Sequence, residues 1–304
     1  MFVRLVPVAV AAIALAGCSG TATSQESPGG RMGVTAAFYP LQYAAERVGG
    51  DHVHVVGLTK PGAEPHDLEL TPQQVVAMTK STVVVYEKGF QPAVDAAVAA
   101  QAKAAGFDVS AAARLTLAPP SGEGGSTASS LAVDPHFWLD PIRYADVVTA
   151  IAARFEAKDP ANAAAYAANA DAMVSELKSL DSAYVSGLAH CADTEIVTGH
   201  AAFGYLAQRY GLTQVAISGI SPDLEPTAAS MSRAVQLIRA HHVTTVYAET
   251  LVSPALAETI ARETRSRVAL LDPVEGITTQ SAGQDYFAVM RANLATLEKG
   301  QVCT

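Results

Sequence analysis

Basic side chains and cysteines are both scarce in this chain of 304 residues. It has 20 Lys and Arg against 29 Asp and Glu, for a formal net charge of −9. Nucleic-acid binding needs clustered Lys and Arg to neutralise phosphates, and no such cluster is visible, so we exclude nucleic acid as a partner. The chain has only three cysteines. The later two lie away from the candidate ligands described below, which argues against a thiolate metal site.

The first residues have the pattern of a targeting segment. Arg4 precedes the apolar run VPVAVAAIALAG, which is too short to span a bilayer as a mature helix. The run ends in LAGC at Leu15–Cys18, which resembles a bacterial lipobox. We therefore predict a signal peptide over 1–17, lipidation at Cys18 and a flexible tether over 18–31. The alternative is an ordinary signal peptide with a chance cysteine. Either way, the protein is expected outside the cytoplasmic membrane, and lipidation would hold it there without a spanning helix.

Cys191 and Cys303 are the remaining two cysteines. Outside the cytoplasm an even pair favours a disulfide, which would tie the C-terminus to the segment before EIVTG. Two unpaired buried thiols are the alternative.

Short β-branched runs alternate with alanine-rich helical stretches on both sides of a strand-free middle. This alternation predicts α/β architecture with parallel sheets covered by helices. In the middle, larger apolar residues recur at steps of three, four and seven from Tyr166 to Leu188, which predicts one long helix ending near Gly187. The predicted organisation is an N-terminal lobe over 32–142, a helical linker over 143–188 and a C-terminal lobe over 189–304.

Three histidines and a carboxylate lie in loops that the sequence places at similar positions in the fold. His66 follows the strand run HVHVVGL, and His200 follows EIVTG. His136 lies in DPHFWLDP, before the helical middle, and Asp272 follows SRVALL. Loops at the carboxyl ends of parallel strands line the ligand crevice of α/β sheets, so these four side chains are expected to converge between the lobes.

A set of three imidazoles and one carboxylate suits tetrahedral Zn²⁺ better than Ca²⁺ or Mg²⁺, which prefer oxygen ligands. Asp272 and Glu275 compete for the fourth position. We favour Asp272, because it lies closer to the strand end. Glu64 and Glu249 are predicted to support the imidazoles by hydrogen bonds; the alternatives are an ordinary loop charge for Glu64 and direct ligation for Glu249. The positive end of a following helix is expected to disfavour protonation of His200.

The motifs GAEPHDLELTPQQV, DPHFWLDP, VTGHAAFGYLAQRYGL, VYAET and LLDPVEG resemble, in order and spacing, those of the zinc/manganese solute-binding lipoproteins of ABC transporters. The resemblance covers the chain from about residue 32 to the C-terminus. It implies two Rossmann-like lobes with parallel sheets, joined by one long rigid helix, with the metal held between them. It also implies ligation by His66, His136, His200 and a carboxylate in LDPVEG.

The resemblance implies a monomeric, non-enzymatic protein that captures Zn²⁺ and delivers it to an ABC permease. Manganese-binding members tend to have an acid in place of His200, so the third imidazole favours zinc. The His-rich loop of many zinc members is replaced here by PPSGEGGSTASS, which puts auxiliary zinc capture by that loop in doubt. The alternatives are a Mn²⁺ carrier, a surface adhesin with a structural metal, and a zinc hydrolase. No HExxH motif supports the hydrolase, and no large aromatic patch supports the adhesin.

Overall fold

The computed structural model describes residues 30–118, 132–221 and 226–304 of the chain. The predicted signal peptide, Cys18 and almost all of the predicted tether lie outside these ranges, as does the whole low-complexity segment PPSGEGGSTASS. Within the described ranges, no helix combines the length and the apolar character that a membrane span requires.

The strands form two four-stranded sheets in which every pairing is parallel. The strands are β1 (Met32–Ala36), β2 (Val53–Gly57), β3 (Val83–Tyr86), β4 (Gly106–Asp108), β5 (Glu195–Thr198), β6 (Thr213–Ala216), β7 (Thr245–Ala248) and β8 (Arg267–Leu270). The first sheet has the order β2-β1-β3-β4 and the second has the order β6-β5-β7-β8. The two lobes therefore have the same strand order, although no internal repeat is evident in the sequence. The prediction of α/β architecture with parallel sheets is confirmed.

Helices cover these sheets and connect them. The helices are α1 (Tyr39–Gly49), α2 (Pro72–Lys80), α3 (Pro92–Gln101), α4 (Ser110–Ala113), α5 (Pro141–Lys158), α6 (Ala163–Gly187), α7 (Gly204–Tyr210), α8 (Ala228–His241), α9 (Ala255–Thr264) and α10 (Tyr286–Gly300). Proline opens α2, α3 and α5, where its missing N–H and fixed φ fit the first helical turn. At α2 the Thr71 hydroxyl and the Gln74 side chain complete a capping box.

The long helix α6 has 25 residues and joins the two lobes. Its buried residues include the five that the apolar spacing places on one face, namely Tyr166, Met173, Leu177, Leu180 and Tyr184. The predicted helical linker over 143–188 contains α6 and most of α5, which packs along α6. The prediction of one long helix is therefore confirmed, and the lobe boundaries themselves stay predictions.

One apolar core runs through both lobes and the helices between them. Trp138, Tyr144 and Tyr286 are among its fully buried members, and a smaller cluster lies within the second lobe. Cys191 and Cys303 form a disulfide that closes a loop of 112 residues around the second lobe. The shared core and α6 connect the two lobes, whereas the disulfide lies within the second lobe.

Candidate metal centre

Four buried side chains from four separate segments meet between the lobes. Each of them, His66, His136, His200 and Glu275, offers a ligand atom within 4.8 Å of the others. Glu275 Oε1 lies 2.9 Å from His136 Nε2, 3.2 Å from His200 Nε2 and 3.4 Å from His66 Nε2. All three imidazoles therefore direct the same ring nitrogen toward one carboxylate oxygen.

A carboxylate in its own loop orients His136. Asp134 Oδ1 accepts hydrogen bonds from the backbone N–H of His136 at 2.9 Å and from Nδ1 of its ring at 2.8 Å. Proton donation from Nδ1 leaves Nε2 with its lone pair, which is the form that binds a metal. The sequence alone predicts no role for Asp134. The two-residue spacing in DPH is the signal that could have identified it.

Glu249, at the end of β7, orients His200 in the same way. Its Oε1 accepts from the backbone N–H of His200 at 2.9 Å, and its Oε2 makes a short hydrogen bond with His200 Nδ1. A Cβ at Gly199 would lie only 2.9 Å from Glu249 Oε1, so this close approach requires glycine. The structure thus places Glu249 where the sequence predicts a supporting carboxylate.

His66 is held differently. Its backbone N–H donates to Glu64 Oε1 at 2.9 Å, whereas that oxygen lies 3.9 Å from His66 Nε2. Glu64 Oε1 therefore holds the loop backbone and lies beyond hydrogen-bond distance from His66 Nε2. The ring packs edge-on against Phe90, with ring centroids 4.7 Å apart.

The structure does not place Asp272 among the three imidazoles, and Glu275, the alternative, occupies that position. Asp272 Oδ1 instead accepts from the backbone N–H of Val274 at 2.8 Å. Val274 has a φ of 57°, which is unusual for a β-branched residue. This turn directs the Glu275 side chain into the cluster, so the geometry favours Glu275 over Asp272, whose preference rested on its closeness to the strand end.

Burial and mutual charge set the protonation of the cluster. Burial would lower the pKa of His200, but the carboxylates of Glu249 and Glu275 outweigh it and raise that pKa well above its ordinary value. Burial lowers the pKa of His66 despite its hydrogen bond with Glu275. Burial opposes ionisation of Glu275, yet the His200 charge and the three imidazole hydrogen bonds hold its pKa well below the usual range. The expectation that a helix end keeps His200 neutral is wrong, because α7 begins four residues later and two carboxylates act directly on the ring.

These donors fit a divalent cation of borderline softness. Three ring nitrogens and one carboxylate form the donor set of a closed tetrahedral zinc site. Glu275 Oε2 is buried and has no hydrogen-bond partner among the described residues, so the carboxylate keeps an uncommitted oxygen. A bound cation would replace protons on the imidazoles, so binding would release protons to solvent.

Comparisons with known proteins agree with this geometry. Zinc-binding lipoprotein AdcA of Streptococcus pneumoniae is 32% identical over 306 residues, covering 98% of this chain, although the chain spans only 60% of that relative. The crystal structure of Zn(II)-bound AdcA superposes with a TM-score of 0.75, covering 90% of this chain and 58% of the other. The high-affinity zinc uptake system protein ZnuA of Bacillus subtilis is 32% identical over 295 residues, covering 94% of this chain and 92% of the relative.

A third similarity is to the laminin-binding protein Lmb of Streptococcus agalactiae, whose structure is described as that of a bifunctional protein with adhesin and metal-transporting activity. It has a TM-score of 0.78 and 29% identity, covering 89% of this chain and 99% of the other. The family model described as ZnuA, zinc-uptake complex component A, periplasmic, matches residues 34–300. The resemblance indicated by the motifs is thus confirmed, and the chain belongs to the family of ZnuA, the periplasmic component A of zinc-uptake complexes.

Proposed function

We propose that this protein captures Zn²⁺ outside the cytoplasmic membrane and delivers it to an ABC permease. The observation that carries the proposal is the convergence of three Nε2 atoms on Glu275 Oε1 in a buried site between the lobes. His66, His136, His200 and Glu275 would be the zinc ligands. The names of the relatives AdcA and ZnuA support the choice of metal.

The donor set supports a carrier of zinc and not a catalyst. Four protein ligands complete a tetrahedral zinc shell, whereas catalytic zinc sites keep one position for water. We therefore propose that the protein catalyses no reaction. Mn²⁺ prefers carboxylate and water ligands, so a set rich in imidazole disfavours manganese.

The proposed permease and membrane attachment rest on the family and on the LAGC motif. A zinc-uptake component needs a membrane partner to accept the ion, and we propose an ABC permease that a single copy of this protein contacts. We further propose that Cys18, which lies outside the described residues, carries the lipid anchor, as the description of AdcA as a lipoprotein supports. Mass spectrometry of the membrane-extracted protein, with and without a Cys18→Ala substitution, tests the anchor.

Elemental analysis of protein purified without added metal tests the cargo, together with competition between Zn²⁺ and Mn²⁺. The expected result is close to one zinc per chain and displacement of Mn²⁺ by Zn²⁺. A preparation that retains manganese in the presence of equimolar zinc would contradict the proposal.

A matched pair of carboxylate substitutions tests the ligand set. Glu275→Gln removes the anionic ligand. We expect the zinc Kd to rise by roughly 100-fold, because loss of a ligand should weaken binding at least as much as loss of a residue that only supports a ligand. Asparagine at position 272 keeps an Oδ1 that can accept from the Val274 N–H. Because this hydrogen bond is preserved in Asp272→Asn, the expected rise in Kd is about 3-fold or less. Isothermal calorimetry with a competing chelator measures both, and the reverse order of losses would restore Asp272 as the ligand.

Adhesion is a second candidate, favoured by the description of Lmb as a protein with both adhesin and metal-transporting activity. Binding of this protein to immobilised laminin, compared with and without zinc, tests it. Saturable binding would support adhesion as an added role, and binding no stronger than to albumin would reject it.

A further inference from the structure

A buried glutamine ties down the backbone beside His66. Gln91 is 1% exposed, and its side-chain Nε2 donates to the carbonyl oxygen of Pro65 at 2.9 Å and to Thr59 Oγ1 at 3.3 Å. The Thr59 hydroxyl in turn donates to the carbonyl of Ala37 at the end of β1, at 2.9 Å. These bonds connect the loop that carries His66 to the central strand of its sheet.

Gln91 occupies a helix position that usually favours other residues. It is the N-cap of α3, where Ser, Thr, Asp and Asn are preferred because their side chains accept from the first turn. The Gln91 side chain makes no capping hydrogen bond. Its amide faces the His66 loop instead. The usual preference for a capping side chain at this position is therefore not met, and the side chain makes the loop contact in its place.

His66 depends on such a contact more than the other two imidazoles do. Asp134 fixes Nδ1 of His136, and Glu249 fixes Nδ1 of His200. The His66 ring uses Nε2, the atom that faces the cluster, for its hydrogen bonds with Glu275 and His136. The position of His66 is therefore set mainly through its backbone and by ring packing.

The second lobe contains a parallel arrangement. Gln214 on β6 donates from Nε2 to the carbonyl of His200 at 3.0 Å and to Thr198 Oγ1 at 2.9 Å. In both lobes, a glutamine amide thus bridges a threonine hydroxyl and a backbone carbonyl at or next to a cluster histidine. Two unrelated loops held in the same way indicate that the contact serves the site.

We propose that Gln91 is a positioning residue that acts through His66 on metal affinity, an inference that rests on the zinc-binding function proposed above. Without the amide donor, the Pro65 carbonyl loses this tie and the loop samples positions in which His66 is withdrawn. The apparent Kd rises as the fraction of chains with His66 in place falls. Supporting partners of metal ligands contribute roughly 10- to 100-fold to affinity, which sets the expected size.

A double-mutant cycle tests the route of the effect. Gln91→Met keeps the side-chain length and removes the donor, and its zinc Kd is measured by chelator competition in the wild-type and His66→Ala backgrounds. We expect a rise of about 10-fold or more in the wild-type background and of less than about 3-fold when His66 is absent. The exposed amide variant Gln73→Met, on α2, is the control and is expected to match the wild type.

Absorption of the Co²⁺-loaded protein separates positioning from general stability. If Gln91 positions His66, the ligand-field bands of Gln91→Met shift toward those of His66→Ala, a change that a purely structural role would not produce. Gln91→Leu, which also lacks a donor, replaces the Met variant if the latter does not fold. An unchanged Kd in both Gln91 variants, or an equal loss in the two backgrounds, overturns the inference while the zinc function stands. A wild-type chain that binds no zinc overturns both.

Discussion

At the scale of single residues, Glu87 is a buried carboxyl group outside the metal cluster. It follows β3 directly, as Glu249 follows β7, and it is 3% exposed. Glu249 bonds to an imidazole, whereas Glu87 Oε2 has no hydrogen-bond partner within the described parts of the chain. Burial raises the pKa of Glu87 well above its ordinary value of 4.5, and the charges of Asp134, Asp108 and Asp95 raise it further.

This raised pKa predicts that Glu87→Gln stabilises the protein increasingly as pH rises. Below pH 4.5 both folded and unfolded chains hold the proton, so the variant and the wild type should unfold alike. Above it the unfolded chain releases a proton that the folded chain retains, so wild-type stability falls with pH until the folded pKa is passed. Glutamine does not titrate, and the expected gain in unfolding free energy at pH 8 is on the order of 1 kcal/mol or more. Metal-free denaturant unfolding from pH 4 to pH 8 measures it, and a gain that is constant across this range would contradict the assignment.

The sequence identified the three histidines of the cluster, but it left the fourth position open between Asp272 and Glu275 and favoured Asp272, for a physical reason. The strand pattern places the three histidines near the carboxyl ends of the sheets. Knowing the approximate position of each segment is enough to predict that the three side chains meet. The choice between Asp272 and Glu275 depends instead on one backbone angle, the φ of 57° at Val274. A side-chain hydrogen bond to the backbone fixes that angle, and no propensity scale reports it.

At the scale of elements, α6 was predictable because its apolar residues repeat at helical spacing over 25 residues. Its buried face packs against α1, α5 and α10, so the helix supports both lobes. Leu177 and Tyr184 are fully buried, whereas Val185, outside the buried face, is 53% exposed. The same helix thus offers a buried and an exposed aliphatic position for comparison.

Leu177→Ala should destabilise the metal-free protein without changing its ligands. Removing a buried leucine side chain costs about 2–5 kcal/mol of unfolding free energy through lost burial and the cavity left behind. Val185→Ala, at the exposed site, should change it by about 0.5 kcal/mol or less. Chemical denaturation measures both. Equal losses of unfolding free energy in the two variants would show that the apolar face predicted from the spacing does not anchor α6.

Two strands were not evident in the sequence. β1 reads MGVTA, which lacks a run of β-branched residues, yet it pairs with β2 and β3 and is buried throughout. β4 has three residues at the sheet edge and begins with glycine. Tertiary packing determines both strands: β1 has a neighbouring strand on each side, and β4 is held by its pairing with β3.

At the scale of the whole molecule, the lobes are joined next to the metal cluster as well as through α6. Trp138 follows His136 by two residues, and its indole N–H donates to the carbonyl of Pro273, two residues before Glu275, at 2.8 Å. The Tyr286 hydroxyl of α10 donates to the carbonyl of Trp138 at 2.6 Å. The loops that carry two cluster residues are thus connected to each other directly, and the last helix supports the junction.

Trp138→Phe is therefore expected to loosen the junction and weaken the metal site together. Phenylalanine keeps an apolar ring in the core but leaves the buried Pro273 carbonyl without its donor, at a cost of about 1–3 kcal/mol in unfolding free energy. Tyr184→Phe is the matched control, because it removes one buried hydrogen bond, to the carbonyl of Met290 at 2.7 Å, between α6 and α10.

Both variants should lose similar stability without metal, as thermal unfolding would measure. They should differ in zinc affinity, because the Trp138 bond, unlike the Tyr184 bond, holds the loop that carries Glu275. We expect the zinc Kd of Trp138→Phe to rise by roughly 10-fold, the lower end of the effect of supporting partners on metal affinity. The rise in Tm on adding zinc should therefore shrink for Trp138→Phe and not for Tyr184→Phe, since ligand stabilisation follows the ratio of free metal to Kd. If zinc protects the two variants equally, the junction stabilises the fold alone, and the loop of Glu275 is held in place by the Val274 turn.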